Sequence, residues 1–325
     1  MVRIEPSPRV VGGVSRRRVM LDVVGVLTGW AVVGCGGAGA RPFRFSGIPD
    51  ADKEQLARRY RVVAEHLRQA LGRPAEYVHV PDYTAAVTAL ASGKIDAAWL
   101  GGVTSVQAEQ RTPAGVHFVA ARARDLRFRS YFIAHRAWVD RAELSARDDR
   151  GPQPLEELAA LAPVLARGRF SFGAKSSTSG HVMPRWFLGA SSVGLDPDTA
   201  FDGPPIHQLK GGHSATLRAV ASGAVDFGVV NYAAWEAADA ATQAAAPVVY
   251  VTPEYVDYCF VAHGSLGESV VEALRSALVG LSLDDPAQRA VLEAFGAEAF
   301  VAVEASQWDQ IRSVLRALEP SGSRG

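Results

Sequence analysis

Four hydroxyl side chains stand in a row at Ser176, Ser177, Thr178 and Ser179, between Lys175 and Gly180. They follow an apolar run, Phe170–Ala174, and precede Val182, Met183, Trp186 and Phe187, a pattern that predicts a strand, a turn and the start of a helix. One hydroxyl satisfies a helix N-cap. Four exceed that need, and the surplus can donate outward beside the first free amides, where the helix dipole also favours negative charge. Gly180 permits close approach of a ligand to the backbone. The chemistry this implies is capture of an anion.

Two further candidates sit at equal distance inside an internal repeat. Ala89-Leu90-Ala91-Ser92-Gly93-Lys94-Ile95-Asp96 matches Ala219-Val220-Ala221-Ser222-Gly223-Ala224-Val225-Asp226, 130 residues later, and Tyr83 and His213 are separated by the same 130. Each precedes the repeated helix, so each is expected to project from a helix start, one from each half. Taken alone, a tyrosine or histidine is more often a packing residue. Their correspondence raises both to candidate donors, Tyr83 through its O–H and His213 through a ring nitrogen. Asp257, in the loop before the apolar run Cys259–Ala262, reads by itself as solvated surface.

The elements that must position these residues are legible as two similar units. Phe43–Gly47 and Phe170–Ala174 read as first strands, Asp52–Leu71 as a helix and Ala75–Val80 as a second strand. The repeated helices end in Gly and run into apolar strands, Ile95–Leu100 and Val225–Val230. Strand–helix–strand–helix–strand, used twice, predicts an α/β protein of two doubly wound, mostly parallel lobes with a ligand cleft between them. Residues 43–130 with 249–325 are assigned to the first lobe and 131–248 to the second. The crossings are expected at Tyr131–His135 outward and at Val248–Val251 or Cys259–Ala262 on return. Ser269–Leu318 is expected to be mostly helical and to pack back on the first lobe.

A chain of 325 residues is long enough for two cores. Its 34 basic and 34 acidic residues cancel, which removes the diffuse positive field that nucleic-acid binders use. Cys35 and Cys259 are the two cysteines, and their spacing fits no zinc site. Residues 1–34 read as an export signal. Ser15-Arg16-Arg17-Arg18 is a basic region of twin-arginine type, and the apolar stretch Val23–Val33 is far short of the roughly 20 residues that span a bilayer. Val32-Val33-Gly34-Cys35 resembles a bacterial lipobox, which implies lipidation of Cys35 and a tether over residues 35–42.

At Pro81-Asp82-Tyr83, Ile95–Gly101, Ser177-Thr178-Ser179-Gly180 and Gly212-His213-Ser214 the chain resembles the phosphonate/phosphite-binding periplasmic proteins of ABC importers. The likeness is collinear from about Phe43 onward. It implies a type II-like periplasmic binding fold, a tetrahedral oxyanion held by Ser177, Thr178 and Ser179, and further contacts from Tyr83, His213 and Asp257. Phe128 stands where the family often has a ligand-contacting tyrosine, so one O–H is replaced by an apolar wall. Other phrases, such as Phe45–Asp50 and Val229–Tyr232, look closer to a selenate-binding subgroup. Phosphonate, phosphite or phosphate is the expected cargo, and selenate the alternative. The resemblance also implies an ABC permease as partner, a monomeric chain anchored outside the cytoplasm, and no cofactor or metal. A sensing lipoprotein is one rival. An exported enzyme is the other, with Ser177 or Ser179 as nucleophile, His213 as base and Asp257 as orienter. The absence of a Gly-x-Ser-x-Gly elbow in the sequence argues against that enzyme.

Overall fold

The alternating run Phe43–Gly47 forms the first strand, β1. The computed structural model describes residues 41–318 apart from Asp52 and Gln208. The expected leader and Cys35 therefore lie outside the described residues. After β1 the helix Lys53–Leu71 buries Leu56, Tyr60, Val63 and Leu67, the three- and four-residue spacing of a stripe laid against a sheet. Strands β2 (Ala75–Tyr77) and β3 (Ala97–Leu100) pair parallel with β1 on its two sides.

The remaining strands are β4 (Val116–Arg122), β5 (Ser130–Ala134), β6 (Phe170–Phe172), β7 (Ile206–His207), β8 (Phe227–Asn231), β9 (Val248–Val251), β10 (Cys259–His263) and β11 (Phe300–Ala302). They build two sheets, in the orders β11-β4-β10-β3-β1-β2 and β7-β6-β8-β5-β9. Trp99, Phe260, Phe295 and Phe300 interlock in the first lobe, and Phe132, Phe170, Phe172 and Phe201 in the second.

The repeat folds alike in both halves. Helices Tyr83–Ala91 and Gly212–Ala221 end at Ser92 and Ser222, and the next residues, Gly93 and Gly223, take the left-handed φ values of +66° and +73° that stop a helix without a Cβ penalty. The repeated aspartate has a shared duty. Asp96 accepts from the Arg44 amide at 2.8 Å and Asp226 from the Arg169 amide at 2.9 Å, so each carboxylate fastens the strand that opens its own lobe.

Two expectations change. The sheets are mixed rather than mostly parallel: β10 and β11 run opposite to β1–β4 in the first, and β5 opposite to β6–β9 in the second. For β5 and β10 the cause is the exchange of chain between lobes, because each is the first strand after a crossing and enters its sheet from the opposite end. Both β5 and β9 also belong to the second sheet. The crossings thus run through residues 123–129 and 252–258, just outside the strands expected to carry them. There the two segments are stitched together, Phe128 N donating to Tyr255 O at 2.8 Å and Tyr255 N to Phe128 O at 3.0 Å.

Gly47 closes β1 where no side chain fits. A Cβ there would lie 1.8 Å from the hydroxyl of Tyr60, a fully buried ring that cannot swing away. Gly47→Ala is expected to cost about 1–3 kcal/mol through overpacking, read as a lower urea midpoint with an unchanged slope.

Candidate functional site

The run of hydroxyls opens a π-helical turn over Thr178–Val182, which continues as the α-helix Met183–Leu188. Ser177 caps it, its Oγ accepting from Gly180 N at 3.1 Å. The amides of Thr178 and Ser179 have no acceptor within the turn, as geometry requires of a first turn. All three hydroxyl residues are buried. The turn is the end of the second lobe that meets the first.

Each hydroxyl meets a different part of the molecule. Ser177 lies against the hydroxyl of Tyr83, the first residue of helix Tyr83–Ala91 in the first lobe. Thr178 Oγ1 accepts from Val103 N at 3.0 Å, at the start of helix Gly102–Arg111, which follows β3. Ser179 Oγ stands 3.5 Å from His213 Nε2, and its carbonyl accepts from Ser130 Oγ at 2.6 Å. Ser130 in turn lies 2.6 Å from the Tyr255 hydroxyl on the return crossing.

His213 and Asp257 complete the ring. Asn231 N lies 3.2 Å from His213 Nδ1, and an amide can only donate, so Nδ1 is the acceptor and the proton resides on Nε2. Burial lowers the imidazole pKa to about 4, leaving a neutral ring whose N–H points toward Ser179. Asp257 is buried rather than solvated. Its Oδ1 accepts from Gly102 N at 2.7 Å, while Oδ2 has no hydrogen-bond partner among the described residues. Desolvation raises its pKa to about 7, against the pull of the Gly102 amide and the Thr178 hydroxyl. A Cβ on Gly101 would fall 3.1 Å from Asp257 Oδ1 and 3.3 Å from Thr178 Oγ1, so the glycine leaves the backbone room to approach both.

Tyr83, Ser177, Thr178, Ser179, Gly180, His213 and Asp257 therefore come together, drawn from both lobes and a crossing. Phe128 stands one layer back, packed on Tyr232, Tyr255 and Tyr258 with ring centres 4.8, 6.0 and 5.5 Å away. It steadies Tyr255. Of the neighbouring arginines, Arg127 pairs with Glu254 at 2.7 Å, and Arg129 lies over Tyr232 and donates to Arg150 O at 3.1 Å. Sequence reading missed Gly101, Gly102 and Val103. Their signal was a Gly-Gly pair directly after an apolar strand, the end of a parallel sheet where ligands settle.

Chemically, the ring offers neutral donors: hydroxyls, free amides and one imidazole N–H. Arg122, a buried cation that acts on Asp257, is held by Asp125 at 2.6 Å. Such a set suits a small, desolvated oxyanion gripped by oriented dipoles rather than by a counter-charge.

Two lobes joined by paired crossings, with facing polar residues at the strand ends, define a substrate-binding protein. Residues 45–308 match the family described as the periplasmic substrate-binding protein of phosphonate ABC transporters. The chain belongs to that family, and its role is that of a transporter's binding component, not of an enzyme. It is 31% identical over 279 residues to the probable ABC transporter phosphite-binding protein PhnD1 of Prochlorococcus marinus (strain MIT 9301), covering 83% of this chain and 88% of the relative. The structure of that organism's PhnD1 in complex with methylphosphonate superposes with a TM-score of 0.75 at 30% identity, over 85% of this chain and 97% of the other. The binding component of a Pseudomonas aeruginosa ABC phosphonate transporter shares the fold, with a TM-score of 0.69 at 20% identity over 84% and 85% of the two chains. Among the described residues no helix is long and apolar enough to cross a membrane.

Proposed function

We propose that the chain captures a phosphonate, phosphite or phosphate between its lobes and presents it to a membrane permease. The observation that carries this reading is the threefold division of labour among Ser177, Thr178 and Ser179. Their hydroxyls face Tyr83, the Val103 amide and His213, so one small ligand reaches donors of both lobes only when these are closed. Binding then favours the closed form by the contacts that the open form lacks. The relative crystallised with methylphosphonate supports the same cargo class.

Calorimetry with phosphite, methylphosphonate, phosphate, selenate and sulfate tests the reading. At least one of the phosphorus oxyanions is expected to bind more tightly than selenate, and His213→Ala to weaken it by about tenfold or more through loss of one buried donor. Equal affinity in wild type and variant removes His213 from the site; tighter selenate binding reassigns the cargo.

The proposal extends to the chain's address. Export through the leader and lipidation at Cys35 would leave a monomeric binding protein tethered beside its permease. Cys35→Ala is expected to move the protein from the membrane fraction to the soluble exported fraction. Retention of the variant on membranes would dismiss the anchor.

A further inference from the structure

Two clefts open beside the ring of donors, and they differ in charge. One, of about 810 Å³, is lined by Tyr83, Ser177 and His213 of the ring itself. The other, of about 690 Å³, is lined by none of the proposed ligand residues. A substituent on a bound oxyanion therefore extends into the first. That volume is much larger than a methyl group requires.

The walls of this cleft carry Lys53, Lys210 and Arg218 against a single carboxylate, Asp82. None of the three cations forms an ion pair among the described residues. Asp82 is occupied, its Oδ1 accepting from Ala85 N at 2.7 Å as the cap of the Tyr83 helix. The second cleft shares Arg218 with the first, and its other arginines are committed: Arg59 to Asp50, Arg122 to Asp125, and Arg124 to Tyr232 and the Gly296 carbonyl. Three carboxylates, Glu236, Asp239 and Glu293, also line it. Two more acids stand near the ring, Asp50, which acts on Tyr83 and His213 and is paired with Arg59, and Asp257, which is buried behind the start of helix Gly102–Arg111; neither lines the first cleft. An ammonium group on the ligand would meet uncompensated positive charge there, whereas a carboxylate would be drawn in.

Resting on the oxyanion reading above, we propose that this protein selects phosphonates whose carbon substituent bears a second negative group, the phosphonocarboxylate class, over aminoalkylphosphonates. The phosphonyl end occupies the neutral donors, and the second anion lies among Lys53, Lys210 and Arg218.

The test is calorimetry at low salt with phosphonoacetate, methylphosphonate and 2-aminoethylphosphonate. Phosphonoacetate is expected to bind about tenfold or more tightly than 2-aminoethylphosphonate, the scale of two or three exposed charges acting together. The double variant Lys53→Gln/Lys210→Gln should bring that ratio within about threefold and weaken methylphosphonate much less than phosphonoacetate. Raising the salt to about 0.3 M should shrink the wild-type ratio and weaken methylphosphonate less than phosphonoacetate. An equal or tighter aminoethylphosphonate, or a ratio that survives the double variant, overturns the selection while sparing the oxyanion site. Failure of all three ligands and of phosphite removes the oxyanion site and the selection with it.

Discussion

Thr178→Val is expected to weaken methylphosphonate binding by roughly a hundredfold with little change in the unfolding midpoint. Valine keeps the shape of threonine and deletes its hydroxyl, so two things are lost together. The anion loses a charge-assisted donor, the O–H that turns to it from Asp257, and in the closed form the Val103 amide, 3.0 Å from Thr178 Oγ1, is left without its acceptor. About 1.5 kcal/mol for each loss gives about 3 kcal/mol, or two decades of affinity. Because the amide belongs to the first lobe and the hydroxyl to the second, this cost falls on closure rather than on the fold. Thr178→Ser restores the hydroxyl and should recover most of the affinity. Binding by the valine variant within threefold of wild type would place the ligand elsewhere.

The second large effect is a pair of opposed pH dependences in the ligand-free protein. Asp257 titrates near pH 7 in the fold because of its burial, far above an ordinary carboxyl near 4. The native state therefore binds the proton more tightly than the unfolded chain. Stability from this group is fully present below about pH 4 and is lost as pH rises to about 7, on the order of 4 kcal/mol. His213 does the reverse. Its pKa of about 4 lies below the ordinary value of about 6.5, so its contribution is present above pH 6.5 and lost as pH falls through 4, on the order of 3 kcal/mol. The two nearly cancel in the wild type. Buried His181, its pKa lowered to about 3, adds a rising slope to every variant alike, so the profiles are compared with wild type. Asp257→Asn should add a slope that climbs between pH 4 and 7, and His213→Gln one that declines between pH 4 and 6.5. Urea midpoints measured at unit steps of pH read both slopes. Two flat differences from wild type would mean that neither group is buried as described. Methylphosphonate affinity should also fall above pH 7 in the wild type, as Asp257 becomes anionic, and hold steady in Asp257→Asn.

What could be read from the chain, and what could not, divides along the range of the forces involved. The hydroxyl run and the Gly-stopped helices were legible because capping and amphipathic spacing act over a few residues. The Tyr83–His213 correspondence was legible because the repeat supplied a ruler. Strand polarity was not, since it depends on which distant strand becomes the neighbour. Val248–Val251 and Cys259–His263 are equally apolar runs, yet one joins the second sheet and the other the first. Asp257 was least legible of all. Its partner, the Gly102 amide, is 155 residues away, and nothing nearby in the chain distinguishes it from a solvated loop acid.

The stitch between Phe128 and Tyr255 ties the hinge to the grip. Through its hydroxyl, Tyr255 reaches Ser130, and Ser130 holds the carbonyl of Ser179, so the paired crossings stand two hydrogen bonds from a residue proposed to hold the oxyanion. On the proposed reading, holding and letting go are set by shared atoms. A change that loosens the swing to hasten delivery also disturbs the grasp, and for this receptor turnover and tightness must evolve together.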